Sequence, residues 1–440
     1  MIGKKIPGIL ICIVCTGLLI YTTRRDFLLQ KDESGDLRNR IVGARLTADG
    51  RSPYFYKWTP SDGIRTYDPQ NFDTLKVSNI TATPFFHKLI NPVAAATQKE
   101  ISLCWFILEY ILLSVMTGMT VLLAETAGQR FAIVLVSMLF LFTDAWKMHI
   151  YNGQYYLLIP FLAMTVFYLL QRQKGFLGAS AAGLAAIVLV LIRPNTILFF
   201  VPFLFLIRKY SRTTLISFFI PVLVLAGWTI GDKQQRFLWQ DYQRAIGEQI
   251  KLHQNLHPAI QDNAPDPNFT KWEGIHYTGQ DEDSKNIHSE NGNFFVLVKN
   301  IFHYNLPVDR LLILSMLVIL VLTVLYYYRQ GGASKDFNPV KTVLLGYSLY
   351  MVSDLFSPFY RHQYYTVQCL FPLLLSCVLY RPSLKWVYGL LATGIFLNIG
   401  RIRFIKMEHT IGEYLILSAT LLLVMMPDEK QAAQQIKNTQ

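Results

Sequence analysis

From Ser102 to Leu123 the chain reads SLCWFILEYILLSVMTGMTVLL. About 20 largely apolar residues rising 1.5 Å each cross the roughly 30 Å of hydrocarbon in a bilayer, so this run is a candidate transmembrane helix. Runs of the same character lie near residues 6–22, 130–145, 155–171, 176–192, 195–208, 213–230, 309–328, 340–356, 364–380, 385–400 and 411–426. Together they predict an all-α polytopic membrane protein with roughly 10–13 transmembrane helices. Composition agrees: of 440 residues, 52% are hydrophobic and only 16% charged, whereas soluble domains carry about 25% charge.

Lys4 and Lys5 precede the first run, and no small-x-small cleavage site follows it, so the run reads as an uncleaved helix with a cytoplasmic N-terminus. Alternation then puts the loops QRQKG, RKYSR, YYYRQGGASKDFNPVK and YRPSLK in the cytoplasm, and each is basic as the positive-inside rule requires. RIRFIK, Arg401 to Lys406, falls on the other side in spite of its charge. Either the last hairpin re-enters the membrane or these residues meet something anionic there. The expected layout is a first transmembrane helix over 1–22, an extracytoplasmic catalytic loop over 23–101, helices two to seven over 102–230, a second extracytoplasmic loop over 231–308, helices eight to twelve over 309–428 and a cytoplasmic tail over 429–440. Such a chain is a multi-pass protein of the plasma (inner) membrane. Both outer loops are rich in Pro, Gly, Asn and aromatic residues and read as ordered caps containing short helices. They also hold two glycosylation sequons, Asn79-Ile80-Thr81 and Asn268-Phe269-Thr270.

The net charge of +12 follows from basic residues flanking spans, where topology and anionic lipid favour them, and does not point to nucleic acid. Cys12, Cys15, Cys104, Cys369 and Cys377 all fall in apolar runs and read as packing residues.

This topology gathers four polar groups at the outer face. SGDLRNRIVGARLTADG (Ser34 to Gly50) contains Asp36 and the arginines Arg38, Arg40 and Arg45. Leu37, Ile41 and Ala44 recur there at helical spacing. HIYNGQYY (His149 to Tyr156), IRPN (Ile192 to Asn195) and SDLFSPFYRHQYY (Ser353 to Tyr365) join spans at the same face. Each has a plain alternative: Asp36 as a helix cap, and Arg193, Arg361 and His362 as interfacial charges snorkelling to headgroups. A carboxylate converging with cations beside a lipid-accessible groove suits sugar transfer from a lipid-linked phosphate. That reaction needs a base for the acceptor hydroxyl and positive charge for the departing phosphate.

In this combination the chain resembles the GT-C superfamily of polyprenyl-phosphate-sugar-dependent glycosyltransferases, and most resembles glycosyltransferase family 87. The pattern comprises an early Asp followed by Ala, Gly and Tyr, here Asp36, Ala44, Gly50 and Tyr54. Next come paired prolines before the second span (Pro84 and Pro92), a Gly-Gln turn (Gly153-Gln154) and a basic-Pro turn (Arg193-Pro194). A late Ser-Pro with a nearby His closes it, here Ser357-Pro358 and His362. Members often carry a His pair after the Ser-Pro, where this chain has Arg361-His362-Gln363. The resemblance implies a GT-C-like bundle, an extracytoplasmic active site, a polyprenyl-phosphate sugar donor, a lipid or glycan acceptor of the cell envelope, and inversion at the sugar. It implies Asp36 as general base, Arg193, Arg361 and His362 on the donor phosphate, and Arg38, Gln154, Tyr54 and Ser357 on substrate. Some GT-C enzymes use a divalent metal, but no second acidic residue stands at ligand-like spacing from Asp36, so no metal or other cofactor is supported by sequence. Two other classes compete: a ligase or polymerase of lipid-linked glycans, which needs no carboxylate base, and a transporter, which should carry charge near the midplane.

Overall fold

The protein is described by a computed structural model over residues 6–30, 35–68, 80–172, 175–253, 291–304, 306–330, 337–357, 361–400, 405 and 407–427. Both sequons reach beyond these residues, as do Pro358, the tail from 428 onward and nearly all of RIRFIK. Among the described residues the chain is helical, with no β-strand. The helices are α1 (Ile6–Gln30), α2 (Gly35–Ala48), α3 (Pro84–Ile90), α4 (Gln98–Leu123), α5 (Ala127–Phe140), α6 (Asp144–Asn152), α7 (Leu158–Arg172) and α8 (Phe176–Ile192). They continue with α9 (Arg212–Gly231), α10 (Lys233–His253), α11 (Phe294–Phe302), α12 (Val308–Arg329), α13 (Pro339–Leu355), α14 (Leu370–Val378), α15 (Lys385–Phe396) and α16 (Glu408–Met425).

Four helices are long and apolar enough to cross a bilayer: α4, α9, α16 and, from Arg310, α12. The pair α5 and α6, bent by 60°, makes a fifth if counted as one span, while α7 and α8 are shorter apolar helices. The fold is thus an all-helical one with several membrane-capable helices, and its regular elements differ from the expected runs in four places. The run over 130–145 breaks at Leu141–Thr143, where Thr143 caps α6 by accepting from the Trp146 N–H at 3.2 Å. The run over 195–208 is a 3₁₀ helix, Pro194–Lys209, with Pro202 inside it; a proline there removes one backbone donor and disfavours the α-helical pattern. The run over 364–380 opens as a 3₁₀ turn, Gln363–Cys369, before α14.

The first helix also runs past Thr22 to Gln30, because Asp26 is fully buried and satisfied. Its carboxylate accepts from Tyr110 Oη and Trp146 Nε1, each at 2.7 Å, and pairs with Arg25. At α4 the N-terminus is closed by a capping box: Thr97 Oγ1 accepts from the Glu100 N–H, and the Glu100 carboxylate accepts from the Thr97 N–H at 2.9 Å. Aromatic and branched side chains of α4 to α8, α13, α14 and α16 form one continuous core. The exposed apolar residues crowd α9 and α12, among them Leu223, Val224, Met316 and Leu320, as surfaces facing lipid do.

Candidate active site

The helical spacing read in the sequence holds over α2, where Leu37, Ile41 and Ala44 are buried. Against it lies α3, and the contact is close: a Cβ on Gly43 would stand 2.3 Å from the His87 ring. His87 is buried, its Nδ1 donating to the Arg40 carbonyl at 3.2 Å, and burial drops its pKa to about 3, so the ring is neutral. Arg45 ties the other end of α2 down, donating to the carbonyls of Ala94, Ala96 and Arg65. The face carrying Asp36 and Arg40 is thereby fixed against the end of α6.

Gly153 caps α6 in the left-handed region, at φ 59°, which lets the chain turn sharply and sends Gln154 back toward α2. Gln154 is fully buried. Its amide donates to the Asp36 carboxylate, and its Oε1 accepts from Arg40 at 2.6 Å. The Asp36 carboxylate is therefore engaged by a residue distant in sequence, in the turn that follows α6. Burial lifts the Asp36 carboxyl above its ordinary value; Arg40 opposes that, Asp68 adds to it, and hydrogen bonds from Tyr364 and Gln154 hold it down. Asp36 nonetheless keeps a partly exposed edge.

From Arg40 an aromatic platform extends across the site. The guanidinium lies 4.8 Å from the Tyr155 ring centroid. Tyr155 stacks on Tyr156 at 4.8 Å, and Tyr156 lies against Tyr364 and Tyr365 at 5.7 and 4.0 Å. His362 stacks on Tyr364 at 4.8 Å. Arg193, the C-cap of α8, lies 5.7 and 5.4 Å from the Tyr156 and Tyr365 centroids and pairs with Asp354. The two identical Gln-Tyr-Tyr triplets, 154–156 and 363–365, thus supply both halves of the platform.

The expected residues separate into two groups. Asp36, Gln154, Arg193 and His362 converge on this platform. Arg361 also lies 5.4 Å from the Tyr365 centroid, but both its guanidinium edges are in use: Nε donates to Asp354 at 3.0 Å, and the terminal nitrogens meet Glu413. It is 3% exposed. Tyr54 is buried beside α3, its hydroxyl donating to the Ala82 carbonyl at 2.7 Å while its ring meets His87 and Tyr242. Arg38 is half-buried on α2, and Ser357, also half-buried, follows α13 and donates its N–H to the Asp354 carbonyl at 3.3 Å. Two further acidic residues lie inside apolar helices: Glu109 and Glu413 are buried within α4 and α16, paired with His149 and Arg361.

Arg40, Asp68, Asp354 and the four tyrosines were not singled out as site residues from sequence. The spacing of Asp36 and Arg40 at i and i+4 on a helix, and the repeated Gln-Tyr-Tyr, are signals that could have marked them. Among the described residues no group of three or more His, Cys, Asp or Glu side chains is placed to hold a metal ion. Cys15, Cys104, Cys369 and Cys377 are free thiols. Comparison with known protein families, with curated proteins and with solved structures finds no match.

Proposed function

We propose that the chain is a membrane glycosyltransferase of GT-C type, a bundle of roughly 10–13 spans that moves a hexose or pentose from a polyprenyl-phosphate donor to a cell-envelope lipid or glycan. The observation that carries this reading is the convergence of Asp36, held by Gln154, which Arg40 in turn fixes, with Arg193 on one tyrosine platform. Asp36 is the general base for the acceptor hydroxyl; its raised pKa makes the carboxylate a better proton acceptor than an exposed aspartate. Arg193 offers charge to the leaving phosphate, since 21% of its side chain remains accessible. The tyrosine faces suit the apolar faces of a sugar ring. An apolar cleft of about 310 Å³ runs between α7, α8, the 194–209 segment and α9, lined by Val190, Ile197, Phe200, Leu204, Phe219 and Val222. We place the donor's lipid tail in this cleft, which is lined on both sides of Arg193 in sequence by Val190 and Ile197.

The test is transfer from a radiolabelled polyprenyl phosphosugar by the purified full-length protein in nanodiscs. Asp36→Asn keeps shape and hydrogen bonding but loses basicity, so turnover should fall about 10²- to 10⁴-fold with donor binding retained. Near-normal transfer by that variant, or no transfer by the wild type to any cell-envelope acceptor fraction, overturns the reading.

A further inference from the structure

A glutamate in the middle of a membrane-capable helix is costly unless it does something the fold needs. Glu109 is that residue in α4; it is 1% exposed, and its Oε2 lies 3.0 Å from His149 Nε2 of α6, itself fully buried. The pair is not an optimised stabilising unit. Among the described residues Glu109 Oε1 and His149 Nδ1 have no hydrogen-bond partner, and a buried pair with unsatisfied atoms is generally matched or surpassed in stability by apolar residues. Its value lies in what it holds.

His149 occupies the last turn of α6, and its carbonyl accepts the Gln154 N–H at 3.0 Å. One turn before Glu109 on α4, Trp105 Nε1 donates to the Gln154 carbonyl at 3.0 Å. Two side chains of one face of α4 therefore bear on the Gly153–Gln154 turn, Trp105 directly at the Gln154 carbonyl and Glu109 by way of His149. Trp146 stacks on His149 at 6.0 Å and donates to Asp26, as does Tyr110. This closes the far side of the pair. Gln154 in turn presents its NH₂ to Asp36 and its oxygen to Arg40, the one orientation in which both contacts are donor to acceptor.

We propose that Glu109 and Trp105 are positioning residues for Gln154, holding the amide that orients Asp36. The assignment rests on the reading of Asp36 as the base, but it has a measurement of its own. The titration of Asp36 is set by burial and by Arg40, Asp68, Tyr364 and Gln154. The Gln154 amide favours the ionised carboxylate, so releasing it raises the pH at which Asp36 loses its proton.

The experiment follows modification of Asp36 by a water-soluble carbodiimide against pH, in full-length protein in nanodiscs, read by peptide mass spectrometry. Glu109→Leu should move the midpoint upward by roughly one pH unit, the scale of one hydrogen bond to a charged group. Glu109→Gln should restore the wild-type midpoint, because its carbonyl still accepts from His149. Trp105→Phe, which removes the bond to the Gln154 carbonyl and keeps an aromatic ring against Phe86, should move it the same way as Glu109→Leu and decides the matter if the leucine variant does not fold. In transfer assays the shifted variants should lose turnover tenfold or more with donor KM unchanged. A wild-type midpoint in Glu109→Leu or in Trp105→Phe, or failure of Glu109→Gln to restore it, overturns the proposal. If the wild type transfers no sugar, the glycosyltransferase reading fails while the carbodiimide midpoints still decide the positioning role.

Discussion

Two arginines that look equivalent in the sequence part company once their partners are known. Arg361 neutralises Asp354 and Glu413 in a buried cluster, whereas Arg193 shares only Asp354 and leaves part of its side chain accessible. Removing one partner of a buried ionic cluster leaves an uncompensated charge and costs about 3–5 kcal/mol. Arg361→Ala should therefore lower the melting temperature and yield of the protein in detergent. Arg193→Ala should cost less, because Asp354 keeps its bond from Arg361 and the vacated space is partly accessible to water, yet bind polyprenyl phosphosugar poorly in a filter assay. Equal melting temperatures for the two variants would contradict this division of labour. Asp36 adds a pH dependence of known sign. Its pKa is raised and the base works only when deprotonated, so initial rates of transfer should climb with pH through that raised pKa and level off above it. A rate that declines as pH rises through the same range would exclude Asp36 as the base.

Among the elements, α2 matters most, because its register sets where Asp36 and Arg40 point. That register depends on the absence of a side chain at Gly43, where the buried His87 ring takes the space. Forcing a methyl into such a contact costs about 1–3 kcal/mol. Gly43→Ala should lower the melting temperature accordingly, and Gly43→Ala combined with His87→Ala should recover part of the loss by vacating the space. Thermal unfolding of the three variants checks this; a Gly43→Ala protein as stable as wild type would mean that α2 and α3 do not approach so closely. The 194–209 segment is the second element of consequence. Its 3₁₀ form begins directly after Arg193, so the cation sits at a break between two helices rather than inside either.

For the molecule as a whole, the reading requires α2, α3 and α10 to lie on the extracytoplasmic side together. Ser61 and Gln240 are both exposed, one in the segment after α2 and one on α10. Cysteines placed there, in a background lacking the native five, should react with an impermeant thiol reagent in intact cells. Protection of either until lysis would put the two segments on different sides. The burial of Tyr54 against Tyr242 of α10 makes such a separation incompatible with the packing seen here.

The sequence by itself determined that the chain is helical and carries several helices apolar enough to cross a membrane, because apolar run length and the sparsity of charge are properties of local composition. It also marked Asp36, Gln154, Arg193 and His362, residues that stand at chain breaks next to Gly, Pro or a change of polarity. Only the tertiary structure decided which charges are spent internally. Arg361 and Arg193 both adjoin a proline-containing turn in sequence, but a partner 52 residues away, Glu413, occupies one of them. Span limits shifted for a related reason. Asp26 extends the first helix because Tyr110 and Trp146, remote in sequence, satisfy its carboxylate. Glu109 sits within an apolar run because His149 meets it from another helix. A polar residue inside the membrane is read from sequence as an interruption. Whether it is one depends on a hydrogen-bond partner that only the folded chain brings within reach.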